Sequence, residues 1–269
     1  MPKAIILHSI VPMRSEASEA AEQLTQLLFG ETCTILEEKP RWKRVKSDLD
    51  GQTGWVDFKM ISPMSSEEYA AYHPHWRDAE AKVGFPVAFA MSANNGQTIP
   101  LTMGTRLPGY KDGEFEVLGV KFRIQPEMVV IKPLALTPEN LMQVTRFLLN
   151  VPYLWGGKSA LGMDCSGFTQ VVHSLFGHNL LRNAREQITQ GRKISSLRSV
   201  KPGDLAFFDH GDGRITHVGL LLDSERIMHC SGRIKIEKID QSGIWSVELA
   251  DASQPQGVLT HQLAGIRRY

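Results

Sequence analysis

Hydrophobic and polar positions change period midway along this chain. Up to about Pro63 the pattern is short apolar–polar alternation broken by turn residues, which predicts strands. Thr32–Glu38 (TCTILEE) and Trp42–Lys46 (WKRVK) are two of them, Asp50-Gly51 marks a turn, and Trp55-Val56 begins the next. Gln26–Glu31 leads into the first. Short strands around glycine turns predict a small barrel. Ser65 and Glu68 then make a capping-box pattern, which predicts a short helix. From Val83 to about Pro133 the alternation returns, with Pro86–Met91 and Glu114–Ile124 as strand segments and turns at Asn94–Gly96 and Lys111–Gly113.

Beyond Leu136 the apolar spacing becomes helical. Thr137 is a candidate N-cap with Pro138 at the first helical position, and Leu141, Val144 and Leu148 share a face. In Asp164–Gly177 (DCSGFTQVVHSLFG), Phe168, Val171, Val172, Leu175 and Phe176 fall at helical spacing and Gly177 is a stop. Asn183 and Glu186 predict a third helix, ending at Gly191. Strands follow: Asp204–Asp209, Ile215–Asp223, Arg226–Ser231, Lys235–Ile239 and Leu263–Tyr269. Helices first and a strand meander afterwards predict an α+β domain with an antiparallel sheet, preceded by two small all-β units. The expected boundaries are 1–64 for the first β module, 65–82 for a helical linker, 83–134 for the second module and 135–269 for the α+β domain.

Composition narrows the possible roles. Of 269 residues 42% are hydrophobic, so each unit can bury a core. With 30 basic and 29 acidic side chains the net charge is +1, which argues against a general nucleic-acid or anionic-membrane binder. No run of 18 apolar residues predicts a membrane span. His8, Ser9 and Pro12 interrupt the first apolar stretch and no small-residue cleavage site follows. A cytoplasmic protein is expected, or an exported one if a leader preceded this sequence. Three scattered cysteines, Cys33, Cys165 and Cys230, make neither a disulfide framework nor a zinc pattern, and suit a reducing compartment.

Cys165 carries the candidate chemistry. With Asp164 as N-cap it becomes the first helical residue, where unpaired N–H groups and the helix dipole favour the thiolate. A small buried hydrophobe is the competing reading of the same residue. His217 and His229 stand twelve residues apart on the two arms of an expected hairpin. If its loop is Asp223–Glu225, they fall on one face, one diagonal step apart, as a base and the group that orients it. A metal reading would recruit His210, Asp212, His217 and His229 with Cys165 or Cys230, but the spacing matches no common zinc pattern. No metal and no cofactor are expected.

The segments PYLWGGKSALGMDCSGFTQ, KPGDLAFF, THVGLLL and HCSG resemble the NlpC-type cysteine peptidases of bacterial cell-wall metabolism, over roughly Leu136 to Tyr269. The earlier units, through TQLLFGE and the W-x-x-V…DG-x-x-GWV pattern, resemble bacterial SH3-like modules. The resemblance implies a papain-like fold and the subgroup that cleaves murein peptides between γ-D-glutamate and the diamino acid, with a free N-terminal L-alanine. It implies Cys165 as nucleophile, His217 as general base, His229 as orienting group, and Tyr153, Asp164 and Ser166 as substrate contacts. Two positions depart from the pattern: Gln52 stands in GQTGW where the subgroup has tyrosine, and Ala184 stands in RNAREQ where it has serine, while Arg182 and Gln187 are kept. A small murein peptide is the expected partner. A wall-binding protein without turnover and a thiol acyltransferase are the rival readings.

Overall fold

The computed structural model describes residues 1–269, which divide into two compact units. The first comprises Met1–Leu134 together with Trp155–Leu161, and the second Ala135–Leu154 with Gly162–Tyr269.

The first unit opens with β1 (Lys3–Ile5), β2 (Ile10–Arg14), β3 (Gln23–Leu28), β4 (Thr32–Lys39), β5 (Trp42–Ser47), β6 (Thr53–Asp57) and β7 (Ser62–Met64). They form one antiparallel sheet in the order β3-β2-β6-β5-β4-β1-β7. The sequence pattern had the strands starting at Thr32, yet three precede it. β1 is three residues long, and Pro12 in β2 cannot donate to a ladder, so alternation is too weak there to register. Ala4, Ile6, Val11, Met13, Leu27, Cys33, Val45 and Val56 fill the core of this sheet.

Helix α1 (Ser66–Arg77) follows, with the expected capping box: Glu68 N–H donates to Ser65 Oγ at 3.1 Å and Ser65 N–H to Glu68 Oε2 at 2.8 Å. Then come β8 (Lys82–Val83), β9 (Val87–Ser92), β10 (Thr98–Thr102), β11 (Glu114–Val117), β12 (Val120–Ile124), β13 (Val129–Val130) and β14 (Lys158–Ser159). Strands β9–β12 make a four-stranded antiparallel sheet in the order β10-β9-β12-β11. Tyr72 and Trp76 of α1 are buried in a core that draws Ile5 from the first sheet, Phe29 from the turn after β3, and Ala88, Leu101 and Phe115 from the second sheet. The helix is therefore a core element of this unit.

The second unit contains α2 (Pro138–Thr145), β15 (Gly162–Met163), α3 (Cys165–Leu175) and α4 (Ala184–Gln187). Thr137 caps α2, accepting from Asn140 N–H at 3.3 Å. Nearly every residue of α3 is buried, as expected of a helix that is apolar on most sides. Helix α4 stops at Gln187, four residues short of the expected Gly191. The Thr189 hydroxyl turns back on Glu186 O at 2.7 Å, and Gln190 spends its side chain on Leu181 N–H, so the last residues form turns instead.

The strands of this unit are β16 (Arg192–Ile194), β17 (Leu205–Asp209), β18 (His217–Leu221), β19 (Arg226–Ser231), β20 (Arg233–Asp240), β21 (Gly243–Ser246) and β22 (Val258–Arg268). Their order is β16-β22-β17-β18-β19-β20-β21, all antiparallel, and β22 also pairs with β21. Six strands thus close into a barrel with β16 attached outside. The eleven residues of β22 make this possible: Val258–Gln262 pair with β21, and Gln262–Arg267 with β17. Register shifts at Phe207/Phe208 and Ile244/Trp245 supply the bends that closure needs. No helix of the protein is long and apolar enough to cross a membrane.

Candidate active site

The site is built where α3 meets β18 and β19. Asp164 caps α3, its Oδ1 accepting from Gly167 N–H at 2.7 Å, and this puts Cys165 at the first helical position. Cys165 is 7% exposed. The N–H groups of Val218 and Ser166 stabilise its thiolate, so the sulfur lies against the residue that follows His217. The expected lowering of this thiol does not hold. Burial pushes Cys165 up to about 12, and the negative charge of the capping Asp164 adds to that, against the opposing pull of Val218 N–H and Arg182. An acidic cap brings its own charge along with its geometry.

The hairpin β18–β19 has Leu222 N–H donating to Arg226 O across the Asp223–Glu225 loop. Gly219 then pairs with His229, which leaves His217 one diagonal step away on the same face. The two rings meet: His217 Nε2 lies 2.9 Å from His229 Nδ1. His229 Nε2 in turn lies 2.8 Å from Glu237 Oε2 on β20. A carboxylate only accepts, so His229 carries its proton on Nε2, and its Nδ1 accepts from His217 Nε2–H. That leaves Nδ1 of His217 as the basic nitrogen. Burial raises the Glu237 carboxyl, but hydrogen bonds from His229, Ser246 and Lys235 outweigh it, and the group is lowered to about 2. Lys235 Nζ stands 3.2 Å from Glu237 Oε1. Burial, followed by the neighbouring His229 and His261, holds His217 well below the ordinary imidazole range. Cys165 and His217 therefore rest as neutral thiol and neutral imidazole.

Asp164 and Ser166 share a second network. Arg182, 1% exposed, forks onto Asp164 through Nη1–Oδ1 at 3.0 Å and Nη2–Oδ2 at 2.6 Å, and donates to Ser166 Oγ at 2.9 Å. A planar guanidinium suits this bidentate grip. Gln187 Nε2 donates to Ser166 O at 3.0 Å, and Gln187 Oε1 accepts from Thr169 Oγ1. Tyr153 is half-buried and interacts electrostatically with Cys165. Burial and that neighbour raise its hydroxyl above the usual range. The His210–Arg214 loop is exposed, with Asp212 turned onto Arg214 at 2.7 Å.

Sequence reasoning missed Glu237, Lys235 and His261. His229 pairs with Lys235, so Lys235 and Glu237 alternate onto the face of His229, and two charged residues on the inner face of a strand were the available signal. His261 lies against His217 with ring centroids 4.3 Å apart and planes tilted by 33°, and nothing local to either residue announces that contact.

This geometry can be set beside known proteins. The NlpC/P60 family matches residues 150–253, and the bacterial dipeptidyl-peptidase SH3 domain matches residues 13–59. A Bacillus subtilis protein named gamma-D-glutamyl-L-lysine dipeptidyl-peptidase is 32% identical over 219 residues, covering 76% of this chain and 71% of its own. The chain belongs to the NlpC/P60 family. A Bacillus cereus protein of the same name is 25% identical over 91% of this chain and 74% of its own. The crystal structure of an NlpC/P60 family protein from Bacillus cereus superposes with a TM-score of 0.78, at 20% identity and 99% coverage of both chains. The fold of this NlpC/P60 member is thus a papain-like domain accompanied by an SH3 domain, and the protein is a cysteine peptidase.

Proposed function

We propose that the protein hydrolyses the γ-D-glutamyl–diamino acid bond of murein peptides that carry a free N-terminal L-alanine. The observation that carries the reading is the unbroken chain of buried groups behind His217, running through His229 to Glu237, next to a helix-capped thiol. The names of the two Bacillus relatives support the choice of bond.

In the mechanism, Nδ1 of His217 takes the proton of Cys165 as the sulfur attacks the γ-glutamyl carbonyl carbon. The N–H groups opening α3 and the Tyr153 hydroxyl meet the developing oxyanion. The C–N bond breaks, His217 hands its proton to the departing amine, and a thioester remains on Cys165. Water, deprotonated by His217, attacks the thioester, and the thiolate leaves and is reprotonated. Asp164 receives the ammonium group of L-alanine and Ser166 a polar group beside it, with Arg182 holding both in place. Two SH3-like modules, 1–64 and 83–134, joined by the helical segment 65–82, precede a peptidase domain of 135–269. Gln52 and Ala184 each replace a hydroxyl-bearing residue of the subgroup pattern, so amine recognition rests chiefly on Asp164.

The test is mass spectrometry of the full chain acting on L-Ala-γ-D-Glu-L-Lys with the amino end free or acetylated. Release of the L-Ala-D-Glu dipeptide from the free form alone is expected, with no turnover by Cys165→Ala. Cleavage at another bond, equal cleavage of the acetylated peptide, or activity retained by Cys165→Ala would overturn the proposal.

A further inference from the structure

The chain visits the first unit a second time. It leaves the second unit after Leu154, runs through the first as Trp155–Leu161, and returns at Gly162, three residues before Cys165. Within the first unit this short visit is held along its length. Trp155 Nε1 donates to Glu22 Oε1 at 2.7 Å, and Gln23 Nε2 donates to Trp155 O at 3.0 Å. Gly156, at φ +70°, passes so close to β3 that an added Cβ would lie 2.4 Å from Gln23 O. Lys158 N–H donates to Gln26 Oε1 at 2.8 Å, and Ala160 N–H to Thr102 Oγ1 at 3.1 Å.

At the centre, Lys158 Nζ meets Glu31 Oε1 at 2.7 Å, with side chains 3% and 6% exposed. Burial raises the Glu31 carboxyl above its ordinary value, and Lys158 offsets this only in part. A buried ion pair adds little net stability compared with apolar residues of the same size, and its best-attested use is to fix one arrangement among several. Here it fixes seven residues whose two ends continue into Tyr153 on one side and Asp164-Cys165 on the other.

We propose that Lys158 and Glu31 are positioning residues for the reaction: by anchoring Trp155–Leu161 in the first unit they hold the chain that presents Cys165. This rests on Cys165 being the nucleophile. It gives the N-terminal unit a part in the chemistry that does not require it to touch substrate.

The experiment uses the full chain and reads Cys165 itself. Iodoacetamide labelling of Cys165 is followed against pH by peptide mass spectrometry in the parent, in Glu31→Leu/Lys158→Met, and in the surface double variant Glu22→Ala/Gln23→Ala. The apolar core pair should melt within a few degrees of the parent, since a buried pair is replaceable in stability. Its labelling midpoint should nonetheless move by at least about half a pH unit, because the groups facing the thiol have lost their fixed arrangement. A folded core variant with an unmoved midpoint overturns the proposal. If that variant does not fold, the surface variant decides by the same criterion. Hydrolysis of the tripeptide is assayed alongside: a moved midpoint in a chain whose parent leaves the tripeptide intact removes the substrate assignment and keeps the positioning role.

Discussion

Glu237 accepts from His229 Nε2 and so decides, through His229, which nitrogen of His217 is basic. Glu237→Gln tests this without emptying the site. An amide that turns its NH₂ toward His229 reverses every proton in the chain, leaving His217 protonated at Nδ1 and unable to accept from the thiol. We expect kcat to fall on the order of 10–100-fold with KM changed little, because the amide can present either end. Steady-state kinetics check it; an unchanged kcat would mean that His217 is oriented by something else. At this scale the sequence was informative where relations are local. An acidic residue before Cys165 predicts a cap, and loop parity puts His217 and His229 on one face. Neither argument reaches a third strand, so Glu237 stayed hidden although it is only eight residues past His229. The protonation state was misjudged for a different reason: helix position was legible, but burial and the charge of Asp164 were not.

At the scale of elements, β18 and β19 must approach closely enough for two imidazoles to share a proton. Gly219 allows it. A Cβ there would lie 2.7 Å from Ile227 Cδ1 and 2.9 Å from His229 Cβ, so Gly219→Ala has to displace one or both. Overpacking of this kind costs about 1–3 kcal/mol, read as a drop in the urea midpoint. Adding Ile227→Val removes the Cδ1 contact, though not the one to Cγ1 at 2.9 Å, and should restore part of that stability. It leaves the His229 contact in place, so kcat should stay depressed in the double variant; recovery of both together would show that His229 is not displaced. The elements themselves were readable wherever the chain carried a period, as in α1, α2 and α3. The closing of the barrel was not. It depends on β22 pairing at both ends and on two register shifts, and it is this closure that brings His261 against His217.

Across the whole molecule, burial makes several imidazoles harder to protonate from solvent. His217 is held well below its ordinary range, and burial, with His178 nearby, pushes His173 down to about 3; burial and His229 bring His261 to about 4. In the unfolded chain each of these titrates near the ordinary 6.5. Below that pH the unfolded state binds protons that the native state refuses, so stability falls as pH falls. Between pH 7 and pH 5 the loss is about 2 kcal/mol for each deeply buried ring, or about 4 kcal/mol for His173 and His217 together, a large share of a typical folding free energy. Glu237 acts in a separate window: its lowered carboxyl adds stability above the ordinary carboxylate range and loses it only as pH drops from about 4.5 toward about 2. The urea midpoint, followed by tryptophan fluorescence, should therefore decline steadily from pH 7 to pH 5. His173→Phe separates this from any effect of the site, since His173 is fully buried in α3 and edge-on to the Tyr269 ring, with centroids 5.3 Å apart. Relative to the parent, that variant should gain stability as the pH is lowered; parallel declines in the two proteins would show that the acid sensitivity lies elsewhere.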